Sequence, residues 1–269
     1  MVVLPCICRR SKHQCVDGPL LGASCLLATV DASATECLVI RPLDIATSLA
    51  ATVVRLGSGL TVAGRGARPA QPLRLYEFEG CPFCRKVREA LSILDLDADI
   101  LPCPKNGPRF RPEAVQRGGK AQFPYLVDPN TNTAMYESDD IVRYLFTTYG
   151  DGSVPGLLQW PLIPYVTSLL ATAVRFGAGV SYRAASPPQL PLDLWSFEAS
   201  PFCRIAREAL SELEIPYRLH NVAKNSSHRD AFVARSGKMQ VPYLFDPNTG
   251  TSMFESAEIV RYLNETYGA

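Results

Sequence analysis

The sequence has no excess of charge: 27 Lys and Arg stand against 26 Asp and Glu, a formal +1 over 269 residues. It therefore offers no electrostatic footprint for nucleic acid or an anionic membrane surface. Long apolar runs are missing too. The nearest approach to the ~18 residues needed to cross a bilayer, Pro161 to Val174, is shorter and is broken by Pro164. Histidine is scarce, with only His220 and His228 beyond the N-terminal region. One CxxC without a second pair cannot complete four ligands, which argues against a closed zinc site. Of the nine cysteines, Cys6, Cys8, Cys15, Cys25 and Cys37 lie near the N-terminus. The four that remain are too few for a disulfide framework. These absences exclude a nucleic-acid partner and a transmembrane segment, and leave small or mixed-charge partners.

What is present is a repeat. Tyr125 to Gly150 aligns without a gap to Tyr243 to Gly268, with 18 of 26 positions identical. The same offset, drifting between 118 and 120, pairs Pro82-Phe83-Cys84-Arg85 with Pro201-Phe202-Cys203-Arg204, and Arg55-Leu56-Gly57 with Arg175-Phe176-Gly177. The chain thus divides into an N-terminal extension (1–41), a leading helix and linker (42–72), a first domain (73–150), a linker with a second leading helix (151–190) and a second domain (191–269). A hydrophobic share of 47% allows each domain its own core. Residues 1 to 16 hold Arg9, Arg10 and Lys12 without an acid, the bias of an organelle transit peptide, which Asp17, Asp31 and Glu36 then dilute.

Each copy follows one order of elements. Leu73 to Glu79 and Leu192 to Glu198 alternate as strands. Phe83, Val87, Ala90, Leu91 and Leu94 then keep helical spacing, as do Phe202, Ala206, Ala209, Leu210 and Leu213. A second strand is predicted at Ala98 to Leu101 and at Tyr217 to Leu219, followed by a polar loop and a short helix. Phe123 to Val127 and Ala134 to Tyr136 form a hairpin around Asp128-Pro129-Asn130-Thr131, where proline presets the turn. Ser138 and Ser256 are predicted to cap the last helices, which close at Gly150 and Gly268. This order predicts an α/β architecture of two thioredoxin-like domains in tandem, each preceded by a helix. The leading helix of the first copy carries Ile45, Leu49 and Val53 on one stripe, predicted to pack between the copies.

Cys81 stands where a strand ends and a helix begins, so free amides and the positive end of the helix dipole favour its thiolate. Pro82 suits the first helical position, and Cys84, one turn on, faces the same way and can resolve a mixed disulfide. The same pair also fits inert buried thiols or half a metal site. Arg85 and Lys86 either help keep Cys81 ionised or form a solvated basic face. Cys103 reads as a further resolving thiol or a simple loop cysteine.

Cys81-Pro82-Phe83-Cys84 resembles the motif of dithiol glutaredoxins, and Phe123-Pro124-Tyr125-Leu126 followed by Glu137-Ser138 resembles the N-terminal domain of glutathione transferases. The whole arrangement, over about residues 42 to 269, is similar to a plant and algal plastid family of tandem thioredoxin-like proteins. The resemblance implies glutathione as the ligand, disulfide or glutathionylated proteins as substrates, and a chloroplast location. It implies cis bonds before Pro124 and Pro242, with the backbone of Phe123 or Val241 pairing with the cysteinyl part of glutathione. It also implies that Glu137-Ser138 and Glu255-Ser256 hold the γ-glutamyl group. A serine at a helix N-terminus suits a carboxylate physically, and plain capping explains it as well.

The second copy departs at the nucleophile, where Ser200 replaces cysteine and dithiol exchange cannot run. Ser200-Pro201-Phe202 resembles the motif with which several glutathione transferases hold the glutathione thiolate; a degenerate, structural copy is the alternative. The chain ends at Ala269 without the all-helical domain of those enzymes, so conventional conjugation would lack half its site. The expected function is a glutathione-dependent thiol–disulfide oxidoreductase acting through Cys81 and Cys84. The alternatives are transferase-like activity through Ser200 and a non-catalytic glutathione-binding scaffold.

Overall fold

Alternating and helical stretches condense into the expected elements in the computed structural model, which describes residues 42–54, 57–159, 175 and 177–269. The N-terminal extension with its five cysteines, and the second leading helix apart from Arg175, lie outside the described residues. The first copy comprises β1 (Leu73–Glu77), α2 (Pro82–Leu94), β2 (Ala98–Pro102), α3 (Phe110–Gly118), β3 (Tyr125–Asp128), β4 (Thr133–Met135) and α4 (Ser138–Tyr149). After α5 (Gly156–Gln159), the second copy repeats them as β5 (Leu192–Ser196), α6 (Pro201–Glu212), β6 (Tyr217–Asn221), α7 (Arg229–Ser236), β7 (Tyr243–Asp246), β8 (Thr251–Phe254) and α8 (Ser256–Tyr267). α1 (Pro42–Val54) leads the first copy. Among the described residues, no helix is long and apolar enough to cross a membrane.

Each copy is a four-stranded thioredoxin-like unit in which a parallel pair is flanked by an antiparallel hairpin. The two sheets do not remain separate. β2 pairs with β6, antiparallel, giving one eight-stranded sheet in the order β4-β3-β1-β2-β6-β5-β7-β8. Asp99 faces Arg218 at the centre of that seam and binds its guanidinium at 2.8 Å. The core is shared accordingly: Leu75, Leu91 and Leu145 of the first copy belong to one apolar cluster with Leu194, Leu210 and Leu263 of the second. A joint main core thus runs through both copies, beside a smaller apolar cluster in each.

Burial on the seam explains two further departures from the sequence reading. Every residue of α2 from Cys84 to Leu94 is buried, because the second copy covers the side that an isolated amphipathic helix would show to water. Arg85 therefore faces Glu198 of the other copy at 3.9 Å, and Lys86 pairs with Asp139; no solvated basic face exists there. Phe83 and Phe202, which keep helical spacing with the apolar positions, are nonetheless 45% and 41% exposed, and Phe83 lines a surface cleft.

The leading helix crosses over. α1 lies against α6 of the second copy, with Ser48 Oγ donating to the Pro201 carbonyl at 2.8 Å and Thr52 Oγ1 to the Ala199 carbonyl at 3.1 Å. Arg204 returns a bond to the Ser48 carbonyl at 2.7 Å. Its buried face is thus Ser48 and Ala51, with Ile45 half-buried, while Leu49 and Val53 of the predicted stripe are 47% and 70% exposed. Hydrogen bonding to the α6 entry turn, rather than an apolar seam, sets the rotation of this helix.

Candidate functional site

The turn after β1 delivers Cys81 to the N-cap of α2, with Pro82 at the first helical position. The Cys84 amide donates to Cys81 Sγ at 3.3 Å, as a capping oxygen would accept it. The thiol lies 4.0 Å from the Phe123 carbonyl. Burial works against a charge on Cys81, which is only 4% exposed. Hydrogen bonds from the Cys84 thiol and from the Cys84 and Phe83 amides outweigh it and hold the Cys81 pKa below the ordinary thiol range. Cys84 goes the other way: burial, the proton it shares with Cys81, and the negative charges of Cys81 and Glu77 push it well up. One sulfur is set to be a thiolate and its neighbour to keep a proton.

A cleft of about 130 Å³ opens beside them, lined by Phe83, Gln122, Phe123, Pro124, Glu137 and Ser138. The Phe123–Pro124 bond is cis, as is Val241–Pro242. Glu137 holds φ 66°, a left-handed value that costs a non-glycine residue energy and that collects at functional sites. Gln122 Nε2 donates to its carboxylate at 2.5 Å. The helix cap here is Glu137, not Ser138 as the sequence reading had it; Ser138 is the first helical residue, buried, with no capping bond from the Glu137 side chain. α4 thus presents its N-terminal end, with the amides and dipole that favour an anion, to the cleft.

The second copy rebuilds the frame. Glu255 takes φ 67° before Ser256 at the start of α8, and Gln240 binds its carboxylate. Ser200 caps α6, accepting from the Cys203 amide at 3.2 Å in the way Cys81 accepts from Cys84. Tyr76, Cys103, Ala114 and Tyr125 of the cysteine-bearing cluster are matched in position by Trp195, Val222, Phe232 and Tyr243.

In the first copy Cys81 lies 4.0 Å from the Phe123 carbonyl, and Phe123, Pro124, Glu137 and Ser138 line one cleft; in the second, Ser200 caps α6, the Val241–Pro242 bond is cis and Glu255 precedes Ser256 at the start of α8, each in the same local setting as its counterpart. Cys103 is fully buried in the same cluster as Cys81 and Cys84, its pKa pushed up chiefly by burial, which leaves it a thiol rather than a nucleophile. Sequence reasoning missed Gln122, Gln240 and the exposed Phe83. The signal for the glutamines was their recurrence one residue before each cleft X-Pro pair. No group of His, Cys, Asp and Glu among the described residues could hold a metal ion.

Comparison with known proteins places this geometry. The family model described as glutathione S-transferase, N-terminal domain matches twice, over residues 75–153 and 194–269. Among solved structures, a Bombyx mori glutathione transferase, BmGSTD1, is 29% identical over 31% of this chain and 38% of its own, with a TM-score of 0.28. The chain thus spans well under half of that relative's length. The trimeric glutathione transferase TDR1 of Leishmania is 14% identical over 72% of this chain and 68% of its own, with a TM-score of 0.27. A search of the curated proteins found no match.

Proposed function

This chain belongs to the glutathione S-transferase N-terminal domain family, in two tandem copies, and from that premise we propose that it is a glutathione-dependent thiol–disulfide oxidoreductase working through Cys81 and Cys84. The observation that carries the reading is the pairing of a helix-capping, pKa-lowered Cys81 with a protonated Cys84 one turn on, beside the cleft lined by Phe83, Phe123, Pro124, Glu137 and Ser138. The Cys81 thiolate attacks the glutathionyl sulfur of a glutathionylated protein, and the protein's thiolate leaves. Cys81 then carries glutathione as a mixed disulfide. Either a second glutathione or Cys84 attacks in turn and frees it. In this reading Glu137 and the N-terminal end of α4 take the charged γ-glutamyl end and the Phe123 backbone the cysteinyl part; that all three border one cleft supports it.

Deglutathionylation of a labelled protein by the purified chain tests this. Cys81→Ser removes the nucleophile and is expected to abolish turnover, while Cys84→Ser is expected to retain the route that uses a second glutathione. Turnover undiminished in Cys81→Ser would overturn the mechanism.

The repeated frame of Gln240, Pro242, Glu255 and Ser256 favours one further role, glutathione held at the second copy with the Ser200 hydroxyl in place of a reactive thiol. Such a site binds, and is open to transferase-like chemistry, without dithiol exchange.

A further inference from the structure

The strands that join the copies have a second face. Leu73, Leu75, Ala98 and Ile100 enter the main core, so the residues alternating with them, Arg74, Tyr76, Asp99 and Leu101, lie on the opposite side of the sheet. On that side a pocket of about 190 Å³ opens where the copies meet. Arg74, Asp99, Leu101 and Glu113 line it from the first copy, and Pro191 and Pro216 from the second. The volume is that of about six waters.

The repeat shows what fills the matching place in the other half of the sheet. Arg74, Leu101 and Pro216 correspond to Asp193, His220 and Asp97. There the His220 ring spans the two copies, bonded to Asp97 at 3.0 Å and to Asp193 at 2.8 Å, and stacks on Trp195 with ring centroids 4.4 Å apart. A leucine at 101 has no polar end to reach across, and a proline at 216 offers no acid. The three positions that hold an imidazole in one half therefore line an open pocket in the other.

The charges at the rim decide what suits that pocket. Asp99 is committed to Arg218, whose guanidinium it binds at 2.8 and 3.3 Å. Glu113 accepts from the Tyr76 hydroxyl at 2.7 Å and from Arg117 at 3.0 Å. Arg74, exposed on β1, has neither a hydrogen bond nor an ion pair among the described residues. The pocket thus offers one uncommitted charge, a guanidinium whose planar fork matches a carboxylate. Where Asp193 holds a ring of this chain, Arg74 stands ready for a group of the opposite sign. With Asp99 and Glu113 close by, a singly charged anion is favoured over a multiply charged one such as phosphate. Leu101, Pro191 and Pro216 supply an apolar wall for the rest of the molecule.

We infer that this pocket is a binding site for a small monocarboxylate with a compact apolar body, its carboxylate on Arg74 and its body against Leu101, Pro191 and Pro216. The ligand takes the place that His220 occupies in the other half of the sheet, and like His220 it bridges the two copies. The site lies apart from the cleft beside Cys81, with which it shares no lining residue.

Benzoate is the probe, with benzamide as its neutral counterpart and benzylamine as its cationic one. Each is titrated at constant ionic strength into the full-length protein, into Arg74→Gln and into Arg74→Asp, and binding is read from amide shifts in proton–nitrogen correlation spectra. The parent is expected to bind benzoate with a Kd on the order of 1 mM, the scale for a ligand of that size. It is expected to bind benzamide about tenfold more weakly, the margin of charge-assisted hydrogen bonds. The shifts are expected to centre on Arg74, Leu101 and Glu113. Arg74→Gln is expected to lose the margin between benzoate and benzamide. Arg74→Asp, which carries the residue of the second copy, is expected to prefer benzylamine; if it does not fold, Arg74→Gln alone decides. A parent that shows no saturable binding of benzoate overturns the site, as does equal binding of benzoate by the parent and Arg74→Gln. Shifts centred instead on Gln122, Glu137 and Ser138 would assign the carboxylate to the cleft beside Cys81 and overturn it too. The oxidoreductase reading stands or falls separately.

Discussion

Replacing Ser200 by cysteine changes one atom at the cap of α6, and the amide of Cys203 is already placed 3.2 Å from it. Ser200→Cys is therefore expected to create a second thiol with a lowered pKa, read by pH-dependent alkylation. If the second cleft takes glutathione, that thiol is expected to become glutathionylated on exposure to glutathione disulfide. An introduced thiol that ionises at low pH yet never accepts glutathione would mark the second copy as structural. The substitution isolates what the cap contributes, since Ser200 and Cys81 each accept from the amide three residues on.

At the scale of elements, the Cys81 turn is held from outside by the strand-like loop that follows Arg175. Gly80 packs against it so closely that an added Cβ would lie 2.3 Å from Val180 Cγ2, and Val180 is fixed there by the bond from the Lys105 amide to its carbonyl. Gly80→Ala is expected to destabilise the protein by about 1–3 kcal/mol, the cost of overpacking, measurable as a lower denaturant midpoint. Because the clash pushes at the residue before Cys81, the thiol titration is expected to shift as well. Arg175, at the start of the same loop, binds Glu208 of α6 through two nitrogens and the Asp44 carbonyl of α1. These loops link both site turns to the opposite copy, a role that no local sequence pattern announces.

At the scale of the molecule, the copies are joined by a buried charge lattice. Arg88 binds Glu77, Glu79 and Glu198, while Arg207 binds Glu79, Glu198 and Ser196. Each copy also caps a helix of the other: Glu214 accepts from the Arg109 and Phe110 amides before α3, and Asp95 from the Ser227 amide before α7. One part of the joint has no symmetric counterpart. His220 lies between Asp97 of the first copy and Asp193 of the second, at 3.0 and 2.8 Å, where the symmetric positions hold Leu101, Pro216 and Arg74. Burial opposes its charge, but bonds to both carboxylates raise its pKa to about 9. A pKa raised on folding stabilises the fold fully below the unfolded value near 6.5 and ceases to do so as pH climbs through 9. Stability is expected to fall across that window by up to about 3 kcal/mol, with His220→Gln removing this part of the slope. Unfolding curves from pH 6 to 10 that are equally steep for both proteins would contradict it.

The elements and the Cys81 cap were legible in the chain because period-2 and period-3.6 patterns, a strand-to-helix Cys-Pro step and an internal repeat are all local signals. The same signals could not show that Arg85 is buried against Glu198 or that Leu49 and Val53 of the α1 stripe stay exposed, since both depend on how the other copy packs. By itself the sequence determined two copies of one thioredoxin-like unit and one pair of vicinal cysteines. Tertiary structure alone decided that the copies share a sheet and a core, that α1 belongs against the second copy, and that Glu77 lies buried against Arg88. Pairing of β2 with β6 and burial of charge depend on surfaces far apart in the chain, and no local pattern encodes which surfaces meet.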